Sequence, residues 1–207
     1  NAPIMRFFQS IVYKMEEPYK GDVYFVSTRQ FTDMKWGTQN PIILRDPEFG
    51  ALGKRVLSGI GQIFQTRHPV AIYPASGTGA WEAALTNTLS PGDHVLMYET
   101  GWFATLWSRL AKRYGIETEL IPGDWRAGVV AAKIEARLAA DKGQAIKAVC
   151  VVHNETSTGA TSRIDEVRKA IDAAKHPALL MVDTISSLGS IDYRHDEWGV
   201  DVTVGGS

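Results

Sequence analysis

From residue 70 onward, short apolar runs alternate with longer amphipathic stretches. The apolar runs at 70–73, 94–99, 116–121, 147–152, 178–182 and 202–204 predict strands. The segments 78–89, 102–114, 129–140 and 162–174 predict helices. Ser90-Pro91-Gly92-Asp93 has the chemistry of a turn. Gly115 is placed to end the second of these helices. Ser162 with Asp165 resembles a capping box, with Asp in the position usual for Glu. Upstream, Asp46 as N-cap and Pro47 at the first helical position predict another helix start. Phe49, Leu52, Val56, Ile60 and Ile63 follow at spacings of three and four, a stripe expected to pack in the core. Residues 1–40 keep no sustained period and are read as an extended arm or irregular lead-in. Strands alternating with helices imply βαβ units, hence an α/β fold with a mostly parallel sheet covered on both faces. No internal repeat, low-complexity tract or linker follows residue 46.

Composition narrows the function classes. The 207 residues are 44% hydrophobic and 22% charged, a balance that suits a globular domain with a buried core. No apolar run nears the roughly 18–20 residues that cross a bilayer, so no membrane partner is expected. With 22 basic and 23 acidic residues the net charge is -1, which argues against nucleic acid as a partner. The single Cys150 excludes an internal disulfide framework and a Cys-rich zinc site, and suits a reducing compartment. Met5-Arg6-Phe7-Phe8 is too brief for a secretory signal. The last residue, Ser207, comes straight after an apolar run, so the chain is expected to be a fragment.

Ligands in open α/β sheets bind beyond the carboxyl ends of the strands, so the residues after each strand carry the candidate chemistry. Pro74-Ala75-Ser76-Gly77-Thr78-Gly79 is a small-residue turn opening a helix. Its free N–H groups and the helix dipole suit a phosphate, and the Ser76 and Thr78 hydroxyls add donors. A tight turn using Gly for geometry alone fits it equally well. Neither a G-x-G-x-x-G fingerprint nor a Walker motif is present there. Glu99-Thr100-Gly101-Trp102-Phe103 offers aromatics that could stack on a planar ligand, although packing under a loop is the commoner role. His153-Asn154-Glu155-Thr156-Ser157-Thr158-Gly159 puts polar groups where a ligand crevice belongs. For His153 a structural role is preferred to metal binding, because no second ligand lies at metal spacing. Asp183 ends the apolar run Leu179-Leu180-Met181-Val182, where an unpaired carboxylate is costly. It needs a cation or a protonated ligand nitrogen, or else serves as a turn or capping Asp. A phosphate turn, a stacking aromatic, a hydroxyl loop and a buried Asp together describe a site for pyridoxal 5′-phosphate (PLP).

Ser76-Gly77-Thr78-Gly79-Ala80-Trp81-Glu82-Ala83-Ala84-Leu85-Thr86-Asn87, Pro91-Gly92-Asp93, His153 to Gly159, and Val182-Asp183-Thr184-Ile185-Ser186-Ser187-Leu188-Gly189 also resemble a known family. It is the class V, fold-type I PLP aminotransferases, and within them the serine–glyoxylate and alanine–glyoxylate group. The resemblance covers about residues 45–207. It implies a three-layer αβα large domain over residues 46–207, incomplete at its C-terminal end, preceded by a poorly matched arm over 1–45. It implies that Ser76, Gly77 and Thr78 hold the phosphate and that Phe103, rather than Trp102, stacks on the pyridine ring. Thr156 would bond the phenolic oxygen side, Asp183 the ring nitrogen, and Ser207 would lie near the phosphate. In such enzymes a Gln and then the cofactor-linking Lys follow that Ser. Leu44-Arg45 stands where the family usually has His-Arg.

The implied reaction moves an amino group from L-serine, or a similar small amino acid such as alanine, to glyoxylate, giving glycine and a 2-oxo acid. The alternatives are a cysteine desulfurase, a 2-aminoethylphosphonate transaminase or a non-catalytic PLP-binding fragment. Desulfurases use a reactive Cys on a later loop, whereas Cys150 lies within a predicted strand and reads as an inert core residue. The resemblance also implies a homodimer, no metal, and a cytoplasmic setting, or a peroxisomal one in a eukaryote.

Overall fold

The computed structural model describes residues 47–73 and 75–206. The arm, the Asp46 cap, Leu44-Arg45 and Ser207 lie outside the described residues. Helix α1, Pro47–Phe64, begins at the proline that pre-sets helical φ. Then come α2 (Gly77–Thr88), β1 (His94–Tyr98), α3 (Trp102–Arg113), β2 (Glu117–Ile121) and α4 (Ala131–Ala140). β3 (Ile146–Val152), α5 (Ile164–Ala173), β4 (Leu179–Asp183) and β5 (Val202–Val204) complete them. Residues 47–60 and 70–73 belong to one compact unit, and residues 61–69 with 75–206 to another.

The second unit holds a five-stranded parallel sheet in the order β2-β1-β3-β4-β5. Its central strands are buried on both faces, as their continuous apolar runs require. Val152 pairs with Asp183, and Asp183 with Val204, so β3, β4 and β5 end level with one another. The chain turns back from β1 to β2 but advances from β3 to β4. Right-handed crossovers then put α3 on one face and α4 with α5 on the other. α4 packs on α5, and α2 on α3. Trp81 and Leu85 of α2 join Trp107 of α3 and Met97, Cys150 and Met181 of the sheet in one buried cluster. Each such side chain contributes about 1.5–3 kcal/mol by leaving water.

The predicted alternation is therefore present, with three differences. Residues 70–73 form no strand. Pro69 and Pro74 bracket that run and cannot donate to a ladder. The capping box at Ser162 does not form either: Arg163 is the N-cap of α5. The Ser162 hydroxyl instead donates to the Val152 carbonyl at 2.9 Å and accepts from the Val129 amide at 3.2 Å, tying off the end of β3. On α1, Val56 and Ile63 are exposed while Phe49, Leu52 and Ile60 are half-buried. Periodicity identifies a face fit for burial without identifying what covers it. Gly115 does end α3 as expected, with φ of +74°.

Candidate active site

Asp183, His153, Glu155 and Phe103 gather at the carboxyl ends of β1, β3 and β4, and the turn at Gly77, which follows no strand, meets them through Ile185 and Trp81. The order of strands reverses between β1 and β3, the crevice where open α/β sheets take ligands.

Ser76 is the N-cap of α2, yet its hydroxyl makes no capping bond. Its carbonyl accepts from the amides of Gly79 at 2.9 Å and Ala80 at 3.2 Å. Ser76 and Thr78 are exposed, so both hydroxyls stand in solvent at a helix N-terminus. Gly77 lets the turn approach Ile185 closely: a Cβ there would push the Ile185 side chain aside. A Cβ on Gly206 would come within 3.4 Å of the same side chain. Ile185 thus sits between the turn before α2 and the end of β5, two residues beyond Asp183.

Asp183 is 3% exposed. Its Oδ2 accepts from the Trp81 indole Nε1 at 2.8 Å and its Oδ1 from the Ile185 amide at 2.8 Å. Its carboxyl is pushed up to about 6, chiefly by burial and a little by the Glu155 charge, against the pull of its two hydrogen bonds. The Asp183 carbonyl accepts from the His153 amide at 2.9 Å, joining the β3 loop to β4.

Glu155 is fully buried, although it lies in a run of polar residues. Its Oε1 accepts from the Phe103 amide at 3.2 Å, the Ser157 amide at 3.1 Å and the Ser157 hydroxyl at 2.7 Å. Its Oε2 accepts from the Ala104 amide at 3.1 Å. A carboxylate therefore caps α3 from another strand's loop, at the positive end of the helix dipole. Gly101 makes this possible, because a Cβ there would strike the Glu155 side chain. The Ser157 hydroxyl adds a bond from the Trp102 amide at 3.0 Å. These bonds fix Phe103, whose half-buried ring meets Trp81 edge-on with centroids 6.4 Å apart. Trp102 points outward, 43% exposed, with the Arg109 guanidinium 5.0 Å from its ring.

Thr156 is exposed on the same loop. His153 is buried, its Nδ1 2.9 Å from the Ser187 hydroxyl and its ring 5.4 Å from that of Tyr193. Burial lowers its pKa, so it is held neutral among aromatics as a structural histidine. Cys150 lies in the core beside Met181, and burial pushes its thiol well above the ordinary range. Such a thiol is inert as a nucleophile.

Sequence reasoning missed Glu155 and Trp81 as site-builders. Trp81 had a usable signal: an indole N–H on the buried face of a helix needs a partner, and the Asp ending an apolar strand is one.

The family model described as "Aminotransferase class-V" matches residues 50–207. Residues 1–69 match the model described as "SPFH domain-Band 7 family". An L-aspartate–glyoxylate aminotransferase of Paracoccus denitrificans is 48% identical over 164 residues, covering 79% of this chain and 41% of that protein. A serine–glyoxylate aminotransferase of Hyphomicrobium methylovorum is 49% identical over 165 residues, with the same coverage of 79% and 41%. The chain thus spans about two-fifths of these relatives' length. The crystal structure of an alanine–glyoxylate aminotransferase from Nostoc sp. superposes with a TM-score of 0.72 at 32% identity, covering 80% of this chain and 42% of that one. With its parallel αβα architecture and a family model matching most of its length, the chain belongs to the class V aminotransferases, which are fold-type I PLP enzymes.

Proposed function

We propose that the whole protein transfers an amino group from L-serine, or a similar small amino acid such as alanine, to glyoxylate, yielding glycine and a 2-oxo acid with PLP as cofactor. The observation that carries this reading is Asp183: a buried carboxylate at a strand end with two hydrogen bonds and acceptor sites still open. Similarity to proteins named as glyoxylate aminotransferases supports the acceptor.

The residues suit the cofactor. The small-residue turn at Gly77 opens α2, and its exposed Ser76 and Thr78 with the helix N-terminus suit a phosphate. When bound, PLP supplies the electron sink that makes the amino acid's α-proton removable. Ser76, Gly77 and Thr78 would hold its phosphate. Phe103 would bear on the ring, with Glu155 holding the Phe103 backbone. The exposed Thr156 hydroxyl would bond the phenolic oxygen side. Asp183 would keep the ring nitrogen protonated through an ion pair. Ser207 is assigned near the phosphate. In this reading residues 46–207 form the PLP-binding large domain behind an arm over 1–45, and two copies pair as a homodimer. Among the described residues no helix is long and apolar enough to cross a membrane, and a cytoplasmic setting is part of the proposal.

The test is to express the complete gene product, add PLP and assay glycine formation from glyoxylate with serine, alanine and aspartate as donors. Glycine formed only when PLP and an amino donor are both present supports the reading. No glycine with any donor, from folded and PLP-loaded protein, refutes it.

A further inference from the structure

Trp81 contacts Asp183 and Phe103 and shares a helix with the phosphate turn. It lies four residues beyond Gly77, about one helical turn along α2 from the phosphate turn. Its indole Nε1 donates to Asp183 Oδ2 at 2.8 Å. Its ring stacks on Trp107 at 5.8 Å and 11°, and meets Phe103 edge-on at 6.4 Å. The indole is 3% exposed, so stacking on one face and packing against Phe103 leave it little freedom to turn.

We infer that Trp81 is a positioning residue, whose indole N–H pins the Asp183 carboxylate in the orientation that meets the ring nitrogen. This rests on the reading of Asp183 under Proposed function. A carboxylate on a Cα–Cβ stem can rotate about its last bond, and rotation would aim its open acceptor sites elsewhere. Here the Ile185 amide holds one oxygen and Trp81 holds the other. Each oxygen keeps one acceptor site, so the arrangement fixes direction while leaving capacity. The Ile185 amide belongs to the loop two residues on, so it moves with Asp183. Trp81 comes from a different helix and supplies the external reference. Because α2 also begins at the phosphate turn, one rigid element sets the distance between the two anchors of the ligand. The charged group that acts on Asp183 is Glu155, held at the end of α3.

Trp81→Phe keeps an aromatic ring beside Trp107 but removes the N–H together with the five-membered part of the indole, so it is read against a control that loses the same bulk. In the complete gene product, we expect the dissociation constant for PLP to rise about tenfold or more. The pH midpoint of the bound cofactor's absorption band should shift as well. Trp107→Phe, which loses the same bulk and an N–H that has no partner among the described residues, should leave the dissociation constant within twofold and the midpoint within about 0.3 pH. Trp81→His, which can offer a ring N–H, should restore part of the loss. Trp81→Phe with affinity within twofold and midpoint within about 0.3 pH of the parent overturns the inference, and a damaging Asp183→Asn beside it leaves the proposed function standing. Failure of the unsubstituted protein to take up PLP overturns both. Should the variant not fold, the unsubstituted, unliganded protein still decides. Its Trp81 indole ¹⁵N–H resonance should move as Asp183 titrates, and a resonance flat from about pH 4 to 8 overturns the link.

Discussion

Glu155 and Asp183 are two buried carboxylates at the same end of one sheet, and they are built differently. Glu155 accepts four hydrogen bonds, three of them from backbone amides, and sits on a helix N-terminus. Three of these bonds converge on Oε1 and one reaches Oε2, so the fold itself supplies most of its partners. Asp183 accepts two, at the end of an apolar strand, and its carboxyl is pushed up to about 6. One carboxylate is tied down mainly by backbone amides, whereas the other is held by one amide and one indole. Under the proposed function, the difference separates a group that holds the site together from a group that takes part in its chemistry, although the sequence shows only two acids after two strands.

The largest expected effect follows from Asp183. In the complete, PLP-loaded gene product, Asp183→Asn should lower turnover about 100-fold or more, because the ion pair to the ring nitrogen is lost. Near-parental turnover would break the comparison at its main point. The same substitution should act in the opposite sense on the unliganded fold. A carboxyl raised from its ordinary 3.8 to about 6 contributes stability that is fully present below about pH 4 and lost as the pH rises through 6. Between those limits the parent should lose up to roughly 3 kcal/mol that Asp183→Asn does not lose. Urea unfolding of the two unliganded proteins at several pH values reads this directly, and parallel profiles would show that Asp183 is not strained in the fold.

Glu155→Gln should invert that pattern. It turns an N–H₂ toward backbone amides that now find an acceptor, and it removes the charge from the α3 N-terminus. A loss of about 2 kcal/mol in unfolding free energy is expected, with turnover falling only as far as the folded fraction does. Unchanged stability with lost cofactor would mean that Glu155 faces the ligand and the distinction between the two acids is wrong.

Much of this architecture was legible before any coordinates. The strand–helix alternation, the turn at Ser90-Pro91-Gly92-Asp93 and the αL Gly115 are local signals, and local physics decides them. The buried Asp183 was legible too, since an acid closing the run Leu179-Leu180-Met181-Val182 has few other places to go. What stayed hidden was long-range. Glu155 reads as a polar loop residue because its partners, Phe103 and Ala104, lie more than fifty positions away. Gly101 reads as loop freedom, whereas its place is set by the side chain that passes over it. Ser162 carries a capping signal that is overridden, because the end of β3 needs its hydroxyl more than α5 does. The run at 70–73 has strand composition but no place in the sheet, and composition cannot report that.

Thr78 offers the smallest effect and sharpens the comparison from a third side. It is exposed at the start of α2, so unlike either carboxylate it costs the fold nothing to hold. Thr78→Ala removes one hydroxyl from the phosphate turn and leaves the backbone amides and the helix dipole in place. A single hydrogen bond to a charged group contributes about 1.5 kcal/mol, so PLP affinity should fall roughly tenfold. Unfolding free energy of the unliganded protein should stay within about 0.5 kcal/mol, as for an exposed side chain away from the core. Cofactor titration and urea unfolding on one preparation separate the two quantities. A drop in stability without a drop in affinity would move Thr78 to the side of Glu155, as a group that the fold uses for itself. Affinity unchanged within error would leave the phosphate held by backbone amides alone, and the exposed hydroxyl would then have no part in the site.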